Sequence, residues 1–109
     1  MIYAHKDFNT LVDNTVQKLL ELADKKGGEY AGDEDRLANF RRNAEALGMN
    51  MESVWSVYAA KHWDAMMQYV KDLNTGKERE RMEPIEGRAI DLIVYLMLFL
   101  AMTDERNSP

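Results

Sequence analysis

The sequence contains no cysteine and only two histidines and two prolines in 109 residues. Without cysteine the chain can form no disulfide, no thiolate zinc site and no thiol nucleophile, and we expect a reducing compartment. Basic residues are also few, because 14 lysines and arginines against 19 acidic residues leave a formal charge of −5. We therefore do not expect a non-specific binder of nucleic acid or of an anionic membrane.

The small number of prolines and glycines favours long helices, and the hydrophobic spacing predicts an all-α fold with four helices in a single domain. The predicted helices cover residues 7–26, 34–47, 51–73 and 84–103, and residues 104–109 form a polar tail within the domain 1–109. Gly27-Gly28 and Gly48 predict the ends of the first two helices. Asp33 and Asn50 are the predicted N-caps of the second and third helices, and Pro84 suits the first position of the fourth.

The segment from Ala89 to Met102 is apolar apart from Asp91. It is too short to span a bilayer, and a helix that is apolar on all sides is buried on all sides. We therefore expect the last helix to be largely buried, partly against another copy of the chain in a helical homo-oligomer. The predicted apolar stripe of the third helix consists of Met51, Val54, Trp55, Tyr58, His62, Ala65, Met66, Tyr69 and Leu73.

The common catalytic motifs are missing from the sequence. There is no G-x-S-x-G elbow, and Gly76-Lys77 lacks the upstream glycine of a phosphate-binding loop. The acidic run that begins at Asp33 has Ala38 where a calcium-binding loop requires glycine. Three groups of polar residues remain as candidate sites.

The first candidate group lies in the glycine-rich loop and at the start of the second helix. Clustered carboxylates on a loop can hold a hard cation such as Mg²⁺, whereas the same acids can simply cap the helix and face solvent. This group comprises Glu29, Tyr30, Asp33, Asp35, Arg36 and Asn39.

The second group is Lys61, His62 and Asp64 in the third helix. Because His62 belongs to the apolar stripe, we expect it to point towards the core or an interface. It is then either a hydrogen-bonded core residue or an acid or base at a site. Lys61 and Asp64 are three residues apart and can pair on the helix surface.

The third group lies near the start of the fourth helix and centres on Asp91. A carboxylate among apolar residues is costly unless it is paired or ligated, so Asp91 either pairs with Arg88 or holds a metal or ligand. Glu83 and Glu86 have a metal-ligand spacing, although acids also suit the first turn of a helix. The aromatic residues that either stack on a base or pack in the core are Trp55, Tyr58, Trp63, Tyr69 and Tyr95.

Three segments resemble motifs of small phage and prophage proteins. They are Gly28–Phe40 (GEYAGDEDRLANF), Val57-Tyr58 followed by Lys61–Ala65 (KHWDA), and Glu83–Arg88 (EPIEGR) followed by Asp91 and Tyr95. Their order, over about residues 27–100, resembles the nucleotide-modification-associated domain 1 family. That family is in turn similar to the MazG-type all-α nucleotide pyrophosphatases, which are oligomeric and hold magnesium between acidic helices.

The resemblance implies a phage-type protein of the bacterial host cytoplasm that binds a nucleotide or a nucleotide-derived ligand, with or without magnesium-assisted pyrophosphate cleavage. The alternative is a non-enzymatic anti-defence protein that sequesters a signal nucleotide or inhibits a host immune protein. A structural helical adaptor, in which Arg88 and Asp91 form an internal ion pair, also stays open.

The candidate site residues divide into two sets. The candidate metal ligands are Glu29, Asp33, Asp35, Glu86 and Asp91. The candidate ligand-binding residues are Tyr30, Arg36, Asn39, Lys61, His62, Arg88 and Tyr95. The sequence departs from the family pattern at Val94, where the family has Asn, and it offers an acidic motif of the pyrophosphatase kind on the fourth helix alone.

Overall fold

The computed structural model describes residues 1–30 and 34–109, and the side chains of residues 1–25 and 34–109. The described residues contain four α-helices and no strand, which confirms the all-α prediction. They divide into two compact units, residues 1–36 and residues 37–109. The first unit contains α1, and the second contains α2, α3 and α4.

Helix α1 covers His5–Tyr30 and therefore continues through Gly27-Gly28, where the sequence predicted its end. A glycine inside a helix costs about 1 kcal/mol relative to alanine, but it ends a helix only where the backbone turns left-handed. In the described part of the chain, positive φ occurs at Gly48 and Gly76. The exposed apolar side chains of α1 include Phe8, Leu11, Val12, Val16 and Leu20.

Helix α2 covers Ala38–Leu47 and is shorter than the predicted 34–47. Its N-cap is Leu37, which makes no side-chain capping bond, and the predicted cap Asp33 lies outside the described residues. The helix ends at Gly48, whose φ of 66° is left-handed, as predicted. Leu37, Phe40 and Ala44 are buried, and α2 packs against α3.

Helix α3 covers Met51–Thr75 and begins at the predicted cap, Asn50. The Oδ1 atom of Asn50 accepts a hydrogen bond from the backbone N–H of Ser53 over 2.8 Å, which satisfies one of the unpaired donors of the first turn. Gly76 ends the helix with a φ of 68°. The stripe prediction is wrong at Tyr58 and at its last position, because Tyr58 and Leu73 are exposed, and Asp72, the neighbour of Leu73, is buried.

Helix α4 covers Ile85–Asn107, so Pro84 is its N-cap rather than its first helical residue. The helix also runs through most of the predicted polar tail 104–109. The last turn is held by Arg106, whose guanidinium donates to both carboxylate oxygens of Glu52 in the first turn of α3. Helices α3 and α4 therefore form an antiparallel hairpin, and their contact is the most extensive in the second unit.

The side chains of α4 are unevenly covered within the chain. Val94, Leu98 and Met102 are buried, whereas Leu96, Met97, Phe99 and Leu100 are exposed. The all-round burial expected for this helix is therefore not reached by the chain on its own. None of the described helices is long and apolar enough to cross a membrane.

Candidate functional site

His62 lies at the seam between α3 and α4, and we call His62, Arg88, Asp91 and Tyr95 the His62 cluster. His62 is buried, with 9% of the residue exposed, as the stripe predicted. Its Nδ1 atom lies 3.5 Å from Nη1 of Arg88 and 4.0 Å from Oδ2 of Asp91. The ring lies 5.3 Å from the ring of Tyr95 between centroids. A cation, a carboxylate and an aromatic ring thus surround the imidazole of His62.

Helical spacing explains why these residues meet. Arg88, Asp91 and Tyr95 follow one another at intervals of three and four residues, which places them on one face of α4. That face meets α3 at His62. The ion pair of Arg88 is formed with Glu83, over 2.7 Å from Nε to Oε1. The described contacts of Arg88 are thus with the carboxylate of Glu83 and with the imidazole of His62.

Tyr95 is anchored by residues that belong to the apolar part of the seam. Its backbone carbonyl accepts a hydrogen bond from Nε1 of Trp55 over 2.6 Å. Its ring is nearly parallel to that of Tyr58, with 6.4 Å between centroids and 11° between planes. Tyr58 is exposed and meets Phe40 edge-on. The two tyrosines therefore present aromatic surface beside the charged members of the cluster.

The remaining predicted residues belong to other positions of the second unit, to the first unit, or to the part of the chain outside the described residues. Lys61 and Glu86 are exposed, and Asp35 and Arg36 are half-buried in the first unit. Asn39 accepts a hydrogen bond from Nη2 of Arg42 through its Oδ1 atom. Asp33 and the side chains of Glu29 and Tyr30 lie outside the part of the chain that the structure describes.

Among the described residues, no group of three or more histidine, aspartate or glutamate side chains is placed to hold a metal ion. Asp91 is the predicted metal ligand that the fold brings to the His62 cluster, and its side chain is 19% exposed. Mg²⁺ is commonly held by one or two carboxylates together with substrate phosphates and waters. The described donor set fits that mode of binding rather than an all-protein cage.

The sequence reasoning missed a second polar group, built around Asp72 at the end of α3. Asp72 is 3% exposed and accepts hydrogen bonds from Nε of Arg79 over 2.8 Å and from Nη2 of Arg81 over 3.0 Å. Nε2 of Gln68 donates to it over 3.0 Å. These bonds, led by the one from Arg79, outweigh desolvation and lower the pKa of Asp72 from 3.8 to about 2.

Two signals in the sequence point to Asp72 in retrospect. It lies in the last turn of α3, where the helix dipole disfavours a negative charge. The connector that follows carries arginines at two alternate positions, 79 and 81. An acid in an unfavourable helical position followed closely by such a pair indicates a local ion-pair network.

No family model, curated protein or solved structure matches this chain in the three comparisons with known proteins.

Proposed function

We propose that the chain binds a nucleotide or a nucleotide-derived ligand at the His62 cluster. The observation that carries the proposal is the convergence of Arg88, Asp91 and Tyr95 on the buried imidazole of His62. A guanidinium suits a phosphate, and an aromatic ring suits the face of a base. A carboxylate suits a magnesium ion that bridges to phosphate oxygens. These are the three chemical parts of a metal-bound nucleotide.

The order of the residues along the seam supports this assignment. Tyr95 and the exposed Tyr58 lie on the apolar side of His62, and Arg88 lies on the side of the α3–α4 connector. A ligand with an aromatic base and a charged tail would be oriented by these two sides. The resemblance to a nucleotide-related family, stated from the sequence, points to the same ligand class.

The test is thermal unfolding and calorimetric titration with a panel of nucleoside mono-, di- and triphosphates and cyclic nucleotides, with and without Mg²⁺. A ligand that binds the folded state raises the melting temperature, and the shift grows with the logarithm of its concentration relative to Kd. We expect His62→Asn and Arg88→Gln to abolish the shift. His5→Asn, which changes the exposed histidine of α1, is the matched control and should keep it. The absence of any shift over the whole panel would overturn the proposal.

Turnover is a separate outcome of the same experiment. Release of pyrophosphate from a triphosphate in the presence of Mg²⁺, lost in Asp91→Asn, would make the protein a pyrophosphatase. A Mg²⁺-independent shift with a cyclic nucleotide and no product would make it a sponge for a signal nucleotide. If Asp91→Asn lowers stability but leaves every ligand response unchanged, Asp91 has a structural role instead.

A second candidate function is the binding of a host defence protein, and the outer face of α3 favours it. Trp63, Met67 and Val70 follow at intervals of four and three residues and are all exposed, which gives an apolar stripe outside the α3–α4 seam. Apolar surface rich in methionine adapts well to a partner. This function would be supported over the first if the chain inhibits a defined host immune protein and Trp63→Glu loses that inhibition while nucleotide binding is unchanged.

Self-association remains part of the proposal, through the exposed apolar residues of α4. Leu96, Phe99 and Leu100 share one side of that helix and are exposed in the single chain. We expect light scattering to give more than one chain per particle and Leu100→Glu to reduce that mass. An unchanged monomer mass in both proteins would remove the homo-oligomer.

A further inference from the structure

A pocket of about 210 Å³ opens beside the His62 cluster, between the end of α3, the connector and the start of α4. Arg79, Arg81 and Arg88 line it together with Gln68 and Glu83. A water molecule takes about 30 Å³ of liquid volume, so the pocket admits an anion of the size of a phosphate group. Arg88 belongs both to this pocket and to the His62 cluster, so the two sites share one guanidinium group.

The two connector arginines keep hydrogen-bonding capacity for a ligand. A guanidinium has five N–H donors. Arg79 directs two of them to Asp72, and Arg81 directs one to Asp72 and one to the carbonyl of Arg79. Within the described part of the chain, three N–H donors on each of these side chains have no protein acceptor.

The same contacts fix the positions of the two guanidinium groups. Asp72 is buried and accepts from both, and the guanidinium of Arg81 also lies over the ring of Tyr69, 4.9 Å from its centroid. Long side chains normally lose conformational freedom when they bind a ligand. Here that freedom is already restricted by the fold, which favours binding.

The charge around the pocket is unusual for this chain. Three guanidinium groups and one carboxylate, that of Glu83, line the pocket in a protein whose formal charge is −5. Two of the three guanidinium groups are paired with Asp72, which is not part of the lining. Oε1 of Glu83 lies 2.7 Å from Nε of Arg88. This carboxylate therefore competes with any bound anion for the guanidinium of Arg88. Arginine is the side chain best suited to phosphate, because its planar fork donates two parallel hydrogen bonds.

We propose that this pocket, lined by Arg79, Arg81 and Arg88, binds the phosphate group of a phosphorylated small molecule. The inference deepens the proposed function and rests on it for the identity of the ligand: the pocket receives the phosphate tail of a nucleotide whose base lies towards Tyr95. Asp72 is a positioning residue in this arrangement, since it holds the arginines and does not itself face the phosphate.

The experiment is calorimetric titration of the full chain with inorganic pyrophosphate, then with the nucleotide panel. We expect Arg81→Gln to weaken pyrophosphate binding about tenfold or more, because charge-assisted hydrogen bonds are lost. Glu83→Gln should tighten it severalfold, because Arg88 is released from its carboxylate. Lys71→Gln and Glu45→Gln, at exposed positions of α3 and α2, match the two charge changes and should bind as the unchanged protein does.

Each result decides one of the two proposals. Equal pyrophosphate affinity in all five proteins, or no binding of pyrophosphate by any, would overturn the phosphate pocket. Nucleotide binding that is retained in Arg81→Gln but lost in His62→Asn would also overturn it, while the proposed function would stand. If pyrophosphate binding depends on Arg81 and nucleotides are not preferred, the phosphate pocket is supported and the proposal that the ligand is a nucleotide is overturned. If Arg81→Gln fails to fold, Glu83→Gln decides alone, because Glu83 has no bond to Asp72.

Discussion

Val54 and Asp72 occupy equivalent positions on α3 and show how its two halves differ. They are 18 residues apart, which is five helical turns, and they are 4% and 3% exposed. We call the two halves of the α3–α4 hairpin the apolar half, around Val54, Leu98 and Met102, and the polar half, around His62 and Asp72. One helical face is thus buried by two different kinds of interaction.

The difference lies in what each half requires of its partners. A buried valine needs only close packing, which any apolar neighbour of suitable size provides. A buried carboxylate needs donors at hydrogen-bonding distance, and α4 does not supply them to Asp72. The connector does, through Arg79 and Arg81. The apolar half is therefore a feature of the hairpin, whereas the polar half is a site that the connector completes.

The largest expected effect is in the apolar half, at Met102, which is fully buried. Met102→Ala should lower the free energy of unfolding by about 2–5 kcal/mol, because it removes packing and leaves a cavity. Urea denaturation measures the change, and Met82→Ala, in the exposed part of the connector, is the control. A loss below about 1 kcal/mol would mean that the apolar half does not carry the stability of the second unit.

The next effect concerns Asp72 and depends on pH. Its pKa is lower in the folded chain, about 2, than its ordinary value of 3.8, so the ionised form stabilises the fold above the ordinary value. That stabilisation is lost as the pH falls towards 2. Asp72→Asn should therefore have a lower melting temperature than the unchanged protein at neutral pH, and the gap should close between about pH 5 and 2.

Asp64→Asn is the matched control for that measurement, because Asp64 is exposed on the same helix. At neutral pH the melting temperature of Asp64→Asn should match that of the unchanged protein, so there is no difference for acidification to remove. If both variants behave alike, the network around Asp72 does not stabilise the polar half.

A smaller effect is expected at the N-terminus of α3, where the apolar half begins. Asn50→Ala removes the acceptor of the Ser53 N–H and should cost about 1 kcal/mol, whereas Asn50→Ser should restore most of it. Asn74→Ala, an exposed asparagine near the other end of the helix, should change stability by less than about 0.5 kcal/mol. Equal losses at the two positions would contradict the cap.

The smallest effect is expected for the ion pair of Arg41 with Glu105, which joins α2 to α4. Both side chains are more than two-fifths exposed, so a double-mutant cycle should give a coupling of about 0.2–1 kcal/mol. The coupling should fall at high salt. A coupling that is larger, or that resists salt, would show that surface pairs contribute as much as the buried network of the polar half.

The sequence predicted the features that depend on residues close together in the chain. Asn50 caps α3, Gly48 ends α2, and His62 is buried, because each of these follows from local spacing. The predicted helix 84–103 is shorter than α4, whose last turn contains Arg106, held by Glu52, a residue 54 positions away. Such a partner is invisible to periodicity.

The polar half was predicted only in part, for a related reason. His62, Arg88, Asp91 and Tyr95 were all identified from helical patterns, and the fold brings them together. Asp72 was not identified, because its partners come from a connector that has no periodic pattern. The expected stripe ended on Leu73, since the spacing rule cannot tell which of two adjacent residues the connector will cover.

The bonds between Asp72 and the connector also bear on the order of events in folding. They join residues only seven and nine positions apart, whereas the pair of Glu52 with Arg106 closes a loop of 54. Short loops close at a lower entropic cost and faster than long ones. The turn between α3 and α4 is thus able to form before the helices meet. Once formed, this turn restricts the positions that α4 can sample against α3.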